Sequence, residues 1–258
     1  MKKILITGAN SYIGTSFEKY MAQWPQQYQV DTVDMIDGSW READFSGYDA
    51  VYHVAGIAHI KETEENAPLY YRINRDLAVE VARKCKQEGV GHFVFMSTMA
   101  VYGMEEGAIN IHTVPAPVSH YGKAKYEAEQ QLAPLCDENF RVAVMRPPMV
   151  YGEGCKGNYQ SLVKIAKKLP VFPDYPNKRS MIHIDRLCQC VKETVDQNRD
   201  GLILPQDAEY VCTCHMIRQI ARSMGKDMKL WKILNPAVKL AKRFTTAGKK
   251  AFGDLYYE

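Results

Sequence analysis

Charge of one sign is nearly missing from this sequence: 33 Lys and Arg stand against 30 Asp and Glu, a formal excess of +3. So small an excess gives no general attraction for a polyanion, which argues against nucleic acid as a partner. Long apolar runs are also missing, so no membrane span is expected. The opening Met1-Lys2-Lys3 is basic, but the apolar run Ile4-Leu5-Ile6 stops at Thr7-Gly8, too soon for a secretion signal. Seven cysteines include no C-x-x-C pair. Together these absences lead us to expect reduced thiols and a cytoplasmic location. Cys188 with Cys190, and Cys212 with Cys214 and His215, come nearest to a metal-ligand pattern. Two-residue spacing on a helix points the first pair to different faces, so no metal is expected. A Gly-Lys-Ser phosphate loop and a nucleophilic-serine motif are both lacking, which removes the support for phosphoryl transfer and hydrolysis.

What is present is length enough, at 258 residues, to bury a sizeable core without staples. Short apolar runs at 4–7, 30–33, 50–54, 93–97 and 142–146 alternate with helical patterns at 13–24, 70–87 and 121–135. That alternation predicts a Rossmann-type α/β fold, a doubly wound parallel sheet. After Arg146 the texture breaks up around Pro147, Pro148, Gly152, Gly154, Gly157, Pro170, Pro173 and Pro176. We therefore expect a nucleotide-binding domain over residues 1–150 and a small C-terminal substrate-binding lobe over 151–258. In that lobe we expect a helix at 158–168, a strand at 180–184, a helix capped by Asp185, and a strand at 202–204 returning to the sheet.

Straight after the first strand run comes Thr7-Gly8-Ala9-Asn10-Ser11-Tyr12-Ile13-Gly14. A tight strand-to-helix turn aims backbone N–H groups and a helix N-terminus at a pyrophosphate, so Gly8, Asn10, Ser11, Tyr12, Ile13 and Gly14 are candidate dinucleotide ligands. The position where a missing side chain usually admits the phosphate is Ser11; either its hydroxyl joins the contacts or the turn shifts. Asp34, about 20 residues past the turn, is placed to grip a ribose 2′-hydroxyl and to repel a 2′-phosphate. This favours NAD, while Arg41 nearby leaves NADP open and Asp37 competes with Asp34. Asp44 and Phe45 are candidates to flank an adenine, and Val54, Ala55 and Gly56 offer a small-residue strand end for a dinucleotide to lie on. His53 reads as a structural histidine.

Tyr121-Gly122-Lys123-Ala124-Lys125 opens a helix, and a spacing of four sets Tyr121 and Lys125 on one face. An ammonium there favours tyrosinate, so the phenol is expected to be acidified into a usable acid/base. Ser97-Thr98, closing a neighbouring strand, offers a hydroxyl for the same reacting oxygen.

These motifs, with Asp49 to Gly56, Asn74, Ser97 to Gly103 and Arg146 to Gly152, resemble the extended short-chain dehydrogenases/reductases of the NAD-dependent epimerase/dehydratase family, in family order along nearly the whole chain. The resemblance implies Tyr121 as acid/base, Lys125 as its pKa partner and a ribose ligand, Thr98 as substrate orienter, and Asn74 ordering a helix and a water path. It places Pro148 beside the cofactor. The run from Arg146 to Gly157, with Asn158 and with Asn177 to Asp185, is similar to UDP-sugar 4-epimerases and UDP-4-keto-6-deoxy-hexosamine reductases. It implies a nucleotide-sugar substrate, with Arg179, assisted by Asn158, on the diphosphate. Glu153 departs from the family's usual proline. Met99 and Ala100 follow Thr98 where a dehydratase carries its own acid and base, which argues against dehydration. From another class, a non-catalytic dinucleotide sensor predicts damage to Tyr121, Lys125 or Thr98, and all three are intact. A homodimer is compatible with the sequence. Residues 226–250 carry eight Lys and Arg against the single acid Asp227. An amphipathic helix packed on its own domain is the favoured reading there, and peripheral contact with an anionic membrane the alternative.

Overall fold

The computed structural model describes every residue except His59 and Lys156, and Asn158 without its side chain. Its centre is a parallel sheet of six strands: β1 (Lys2–Thr7), β2 (Tyr28–Val33), β3 (Ala50–His53), β4 (His92–Met96), β6 (Arg141–Met145) and β10 (Gly201–Ile203), in the order β10-β6-β4-β3-β1-β2. Successive strand residues point to opposite faces, and both faces are buried. Ile4, Ile6, Val94 and Met145 pack with Phe17 and Met21 of helix α1 (Tyr12–Met21) and Leu187, Val191 and Val195 of α6 (Ile184–Asp196). Leu5, Val51, Phe93 and Val142 pack on the other side with Val79 and Ala82 of α3 (Leu77–Gln87) and Ala128 and Leu132 of α4 (His120–Leu132). The order reverses between β1 and β3, and in such sheets ligands bind at that switch point, outside the carboxyl ends of the strands.

The expected helix at 70–87 is three pieces: α2 (Ala67–Tyr71), a π-turn at Arg72–Asp76, then α3. The α4 helix stops at Leu132 because Pro134 cannot continue its hydrogen-bond ladder, and a 3₁₀ turn follows. The helix α6 is capped by His183, whose Nδ1 accepts from the Asp185 N–H at 3.3 Å, and not by the Asp185 carboxylate as expected; Asp185 lies in the first turn.

Outside the main sheet the described residues form three two-stranded parallel pairs: β7 (Met149–Tyr151) with β9 (Met181–His183), β8 (Val171–Pro173) with β11 (Lys229–Trp231), and β5 (Gly107–Ile109), which precedes β6, with β12 (Leu255–Tyr257). Helices α5 (Asn158–Lys168) and α7 (Thr213–Ser223) enclose a separate cluster around Phe172, Ile217 and Met228. Helices α8 (Asn235–Phe244) and α9 (Thr246–Phe252) close the lobe. Tyr257 is fully buried, and its hydroxyl donates to the Arg146 carbonyl at 2.6 Å, tying the last strand to the end of β6. No described helix is long and apolar enough to cross a bilayer.

Candidate active site

The turn after β1 is built by two residues in unusual conformations. Gly8 has φ +114°, and a Cβ there would lie 2.8 Å from the Ala55 nitrogen, so only glycine lets the ends of β1 and β3 meet this closely. Asn10 takes the left-handed region at φ 63°, which asparagine tolerates better than most side chains. The Ser11 hydroxyl is the N-cap of α1, accepting from the Gly14 N–H at 3.1 Å. Ser11 thus shapes the turn, and its hydroxyl, accepting from Gly14, keeps its own proton to donate. Of the first helical N–H groups, those of Tyr12 and Ile13 lack an intrahelical partner by their position, leaving two donors for an anion.

Asp34 follows β2 and is exposed; one carboxylate oxygen accepts from the Ile36 N–H at 2.9 Å. Arg41 is drawn away into a two-pronged pair with Glu80, at 2.5 and 2.7 Å, its guanidinium lying over Trp40. Phe45 departs from expectation. Its ring is 1% exposed in the core beside Leu5 and Val51, which leaves Asp44 and the backbone there for a ligand. Asp44 is fully exposed, its carboxyl held below the usual range by hydrogen bonds from Ser46.

At the end of β3, Val54 and Ala55 both donate backbone N–H groups to the Thr7 carbonyl, at 3.1 and 2.9 Å. The buried Asn74 amide clamps Ile57 from both sides, accepting its N–H at 2.9 Å and donating to its carbonyl at 3.0 Å. This clamp explains the π-turn: the extra residue in the helix turns Asn74 inward, and such bulges recur at functional sites. A Cβ on Gly56 would stand 2.6 Å from Asn74 Oδ1 and 3.4 Å from Lys125 Nζ, so this strand end, the amide and the amine share one small space. His53 is buried, its Nδ1 2.7 Å from the Thr7 hydroxyl. Burial pushes it down to about 3, a neutral structural imidazole.

Helix α4 carries Tyr121 and Lys125 toward the same strand ends. Ser119 caps it through the Gly122 N–H at 3.0 Å. Glu62 adds a second cap that sequence reasoning missed: its carboxylate accepts from the His120 N–H at 2.8 Å and the Tyr121 N–H at 3.1 Å. Negative charge at a helix N-terminus is favourable, and this one fixes the backbone of Tyr121 itself. The Tyr70 ring meets the Tyr121 ring edge-on at 6.5 Å, and its hydroxyl donates to the Ile60 carbonyl, holding the loop that carries Glu62.

Electrostatics at the pair run against the expectation of an acidified phenol. Desolvation pushes Tyr121 up to about 12, only partly opposed by the hydrogen bond to Thr98. Lys125 is buried, and its Nζ donates to the Met96 carbonyl at 2.8 Å and sits 4.6 Å from the Phe95 ring centroid. Burial lowers this amine to about 7, with Glu129 opposing the fall. The amine is thus half charged near neutrality, and the phenol holds its proton.

Ser97 and Thr98 divide their labour. The Ser97 hydroxyl is buried and donates to Glu129, which forms a buried ion pair with Arg146, Nη2 to Oε2 at 2.5 Å; Arg146 also donates to the Tyr102 hydroxyl at 2.8 Å. Thr98, half-buried, accepts only from the Ala100 N–H at 3.1 Å among the side-chain bonds and is the hydroxyl beside Tyr121. Pro148 lies buried just beyond β6, next to Pro147, whose carbonyl accepts the Met99 N–H at 2.9 Å and so holds the Thr98 turn. Glu129 stands four residues after Lys125, a spacing that was the available signal for the network.

Arg179 is half-buried on the lobe. Its Nη1 donates to the Gly253 carbonyl at 3.1 Å, and Glu105, Asp254 and Glu106 surround it, although burial still lowers its pKa. The Asn158 side chain lies outside what is described; its backbone begins α5. Apart from this site, Cys212, Cys214 and His215 bring three donor atoms within 4.8 Å, with the two sulfurs 3.3 Å apart. That is one donor short of a closed tetrahedral site.

Residues 4–203 match the model of the NAD dependent epimerase/dehydratase family. The chain belongs to that family. It is accordingly an NAD-dependent enzyme of the extended short-chain dehydrogenase/reductase type. Among its relatives is a UDP-glucose 4-epimerase of Vibrio cholerae, 29% identical over 253 residues, covering 87% of this chain and 76% of that protein. Another is the N-acetyl-alpha-D-glucosaminyl-diphospho-ditrans,octacis-undecaprenol 4-epimerase of Escherichia coli O157:H7, 24% identical, covering 73% of this chain and 62% of that protein. Among solved structures, the UDP-glucuronic acid 4-epimerase of Bacillus cereus in complex with NAD superposes with a TM-score of 0.73 at 19% identity, covering 96% and 94% of the two chains. The dTDP-4-dehydrorhamnose reductase of Bacillus anthracis in complex with NADP gives 0.72 at 18%, covering 98% and 99%. At such identities these structures share the family's fold.

Proposed function

We propose that this protein is a cytoplasmic 4-epimerase of UDP-hexoses or UDP-N-acetylhexosamines, working through a 4-keto intermediate. The observation that carries the reading is the meeting of Thr98, Tyr121 and Lys125 with Gly56 and Asn74 at the carboxyl ends of the strands, next to the Gly8 turn.

The residues present fit a dinucleotide. The N–H groups of Tyr12 and Ile13 would meet its pyrophosphate, and Asp34 the adenosine ribose. Lys125 and Asn74 would face the second ribose, and Val54, Ala55 and Pro148 would line its bed. With Asp34 exposed and Arg41 committed to Glu80, the preference is for NAD over NADP. Bound there, the dinucleotide supplies a reversible hydride acceptor. Tyr121 exchanges the proton of the sugar hydroxyl at its phenolic oxygen, and Thr98 orients that hydroxyl. Lys125, poised near neutrality, can take the proton onward. Arg179, with Asn158, would hold the diphosphate after turning from the Gly253 carbonyl.

A second reading has its own observation. A phenol that holds its proton up to about 12 begins as a donor, which suits one-way reduction of a 4-keto-6-deoxy sugar. Incubation with UDP-glucose, UDP-N-acetylglucosamine and a UDP-4-keto-6-deoxy sugar, with and without NAD(P)H, separates the two. A C4 epimer formed without net cofactor use supports epimerisation, and stoichiometric NAD(P)H consumption supports the reductase. Tyr121→Phe should abolish either; unimpaired turnover by that variant refutes both, and NADH binding with no conversion points to the sensor.

A further inference from the structure

Helix α8 was expected to turn its apolar side inward, and the structure shows two apolar sides. Val238 is 4% exposed, and the Ala241 backbone packs on Gly248, where a Cβ would come within 2.4 Å. The outer side carries Ala237, Leu240 and Phe244, at spacings of three and four that align them on one helical stripe, and Ile233 stands in the 3₁₀ turn Lys232–Leu234 just before the helix. Ile233 is 81% exposed, Leu240 62% and Phe244 69%, with Trp231 alongside at 47%. Among the described residues, four of the twelve exposed large hydrophobics thus fall within residues 231–244. So dense an apolar patch in one short segment marks an interaction surface.

Its surroundings are cationic. Lys242 is paired with Glu106 at 2.9 Å and Lys250 with Glu105 at 3.3 Å, which anchors the segment to the lobe. Lys229, Lys232, Lys239, Arg243 and Lys249 are exposed, and among the described residues none of them forms a salt bridge. A second copy of this chain would bring like charges face to face. An anionic surface with an apolar interior satisfies both features, and an exposed tryptophan beside lysines is the composition that settles at headgroup depth.

We propose that the outer face of α8 and the turn before it seat this enzyme on an anionic lipid bilayer, with Ile233, Leu240 and Phe244 entering the acyl boundary and the surrounding Lys and Arg meeting lipid phosphates. The purified full chain should co-sediment with phosphatidylcholine vesicles containing phosphatidylglycerol, not with phosphatidylcholine alone, and binding should fall steeply with salt. Tryptophan emission should shift to the blue on binding, and the shift should vanish in Trp231→Phe. Leu240→Glu and Phe244→Glu should each weaken binding about tenfold or more, and Lys239→Gln and Arg243→Gln each about fivefold. Both pairs should leave turnover of soluble substrate unchanged, which shows that the fold survives. Absence of binding to anionic vesicles at low salt overturns the proposal. So does unchanged binding by the Glu variants, or a concentration-dependent dimer that Leu240→Glu dissociates while vesicles have no effect.

Discussion

Replacing Lys125 by methionine should abolish turnover and yet raise stability at neutral pH. The amine is buried and falls from an ordinary 10.5 to about 7, so folding at pH 7 strips a proton or buries a charge at a cost of about 4 kcal/mol. Methionine fills the space without that penalty. It leaves the Met96 carbonyl without its 2.8 Å donor, costing about 1–2 kcal/mol, and loses the contact over Phe95, about 1 kcal/mol. The net gain is about 1–2 kcal/mol, or roughly 3–6 °C in Tm for a chain of this size. The sign with pH follows from proton counts. Between about 7 and 10.5 the unfolded lysine holds a proton that the folded one has given up, so wild-type stability gains from rising pH across that window. Below about 7 both forms are protonated and the penalty is constant. The variant lacks this contribution, so its advantage should shrink from pH 7 upward by up to about 1.4 kcal/mol per pH unit and reverse between about pH 8 and 9. Urea denaturation of both proteins at pH 7, 8, 9 and 10 measures it. A variant less stable than wild type at pH 7, or a difference that does not change with pH, refutes the reasoning.

Three further outcomes are expected. Gly8→Ala forces a Cβ to within 2.8 Å of the Ala55 nitrogen at a φ of +114°, so it should lose at least about 2 kcal/mol of stability and most NADH binding, by thermal melts and fluorescence titration. Glu62→Ala removes the acceptor for the His120 and Tyr121 N–H groups; stability should fall by about 1–2 kcal/mol and kcat by more than KM rises, since the phenol loses its backbone anchor. Asp34→Ser should raise the KM for NAD about tenfold and narrow the gap to NADP, whereas equal KM values before and after would remove the ribose role given to Asp34.

Much of the scaffold was legible because parallel strands buried on both faces read as apolar runs, and 4–7, 50–54, 93–97 and 142–146 all overlap observed strands to within two residues at either end. The β5–β12 pair was not, since Gly107–Ile109 and Leu255–Tyr257 are too short for a periodic signal and gain strand character only from each other. The helix expected at 70–87 is present, but its π-turn was not legible for a related reason: the pull of Asn74 on Ile57 comes from 17 residues away.

The sequence by itself determined the local chemistry: a glycine turn opening a helix, a carboxylate after the second strand, and a tyrosine and lysine one turn apart, because spacing along a helix or strand is a property of the chain. Tertiary structure alone decided which groups remain free. Ser97 is spent on Glu129 and Thr98 is left to Tyr121, and Arg41 is spent on Glu80 and Asp34 left exposed. It also decided the proton levels, raising the phenol and lowering the amine, since desolvation depends on neighbours that sequence order does not reveal.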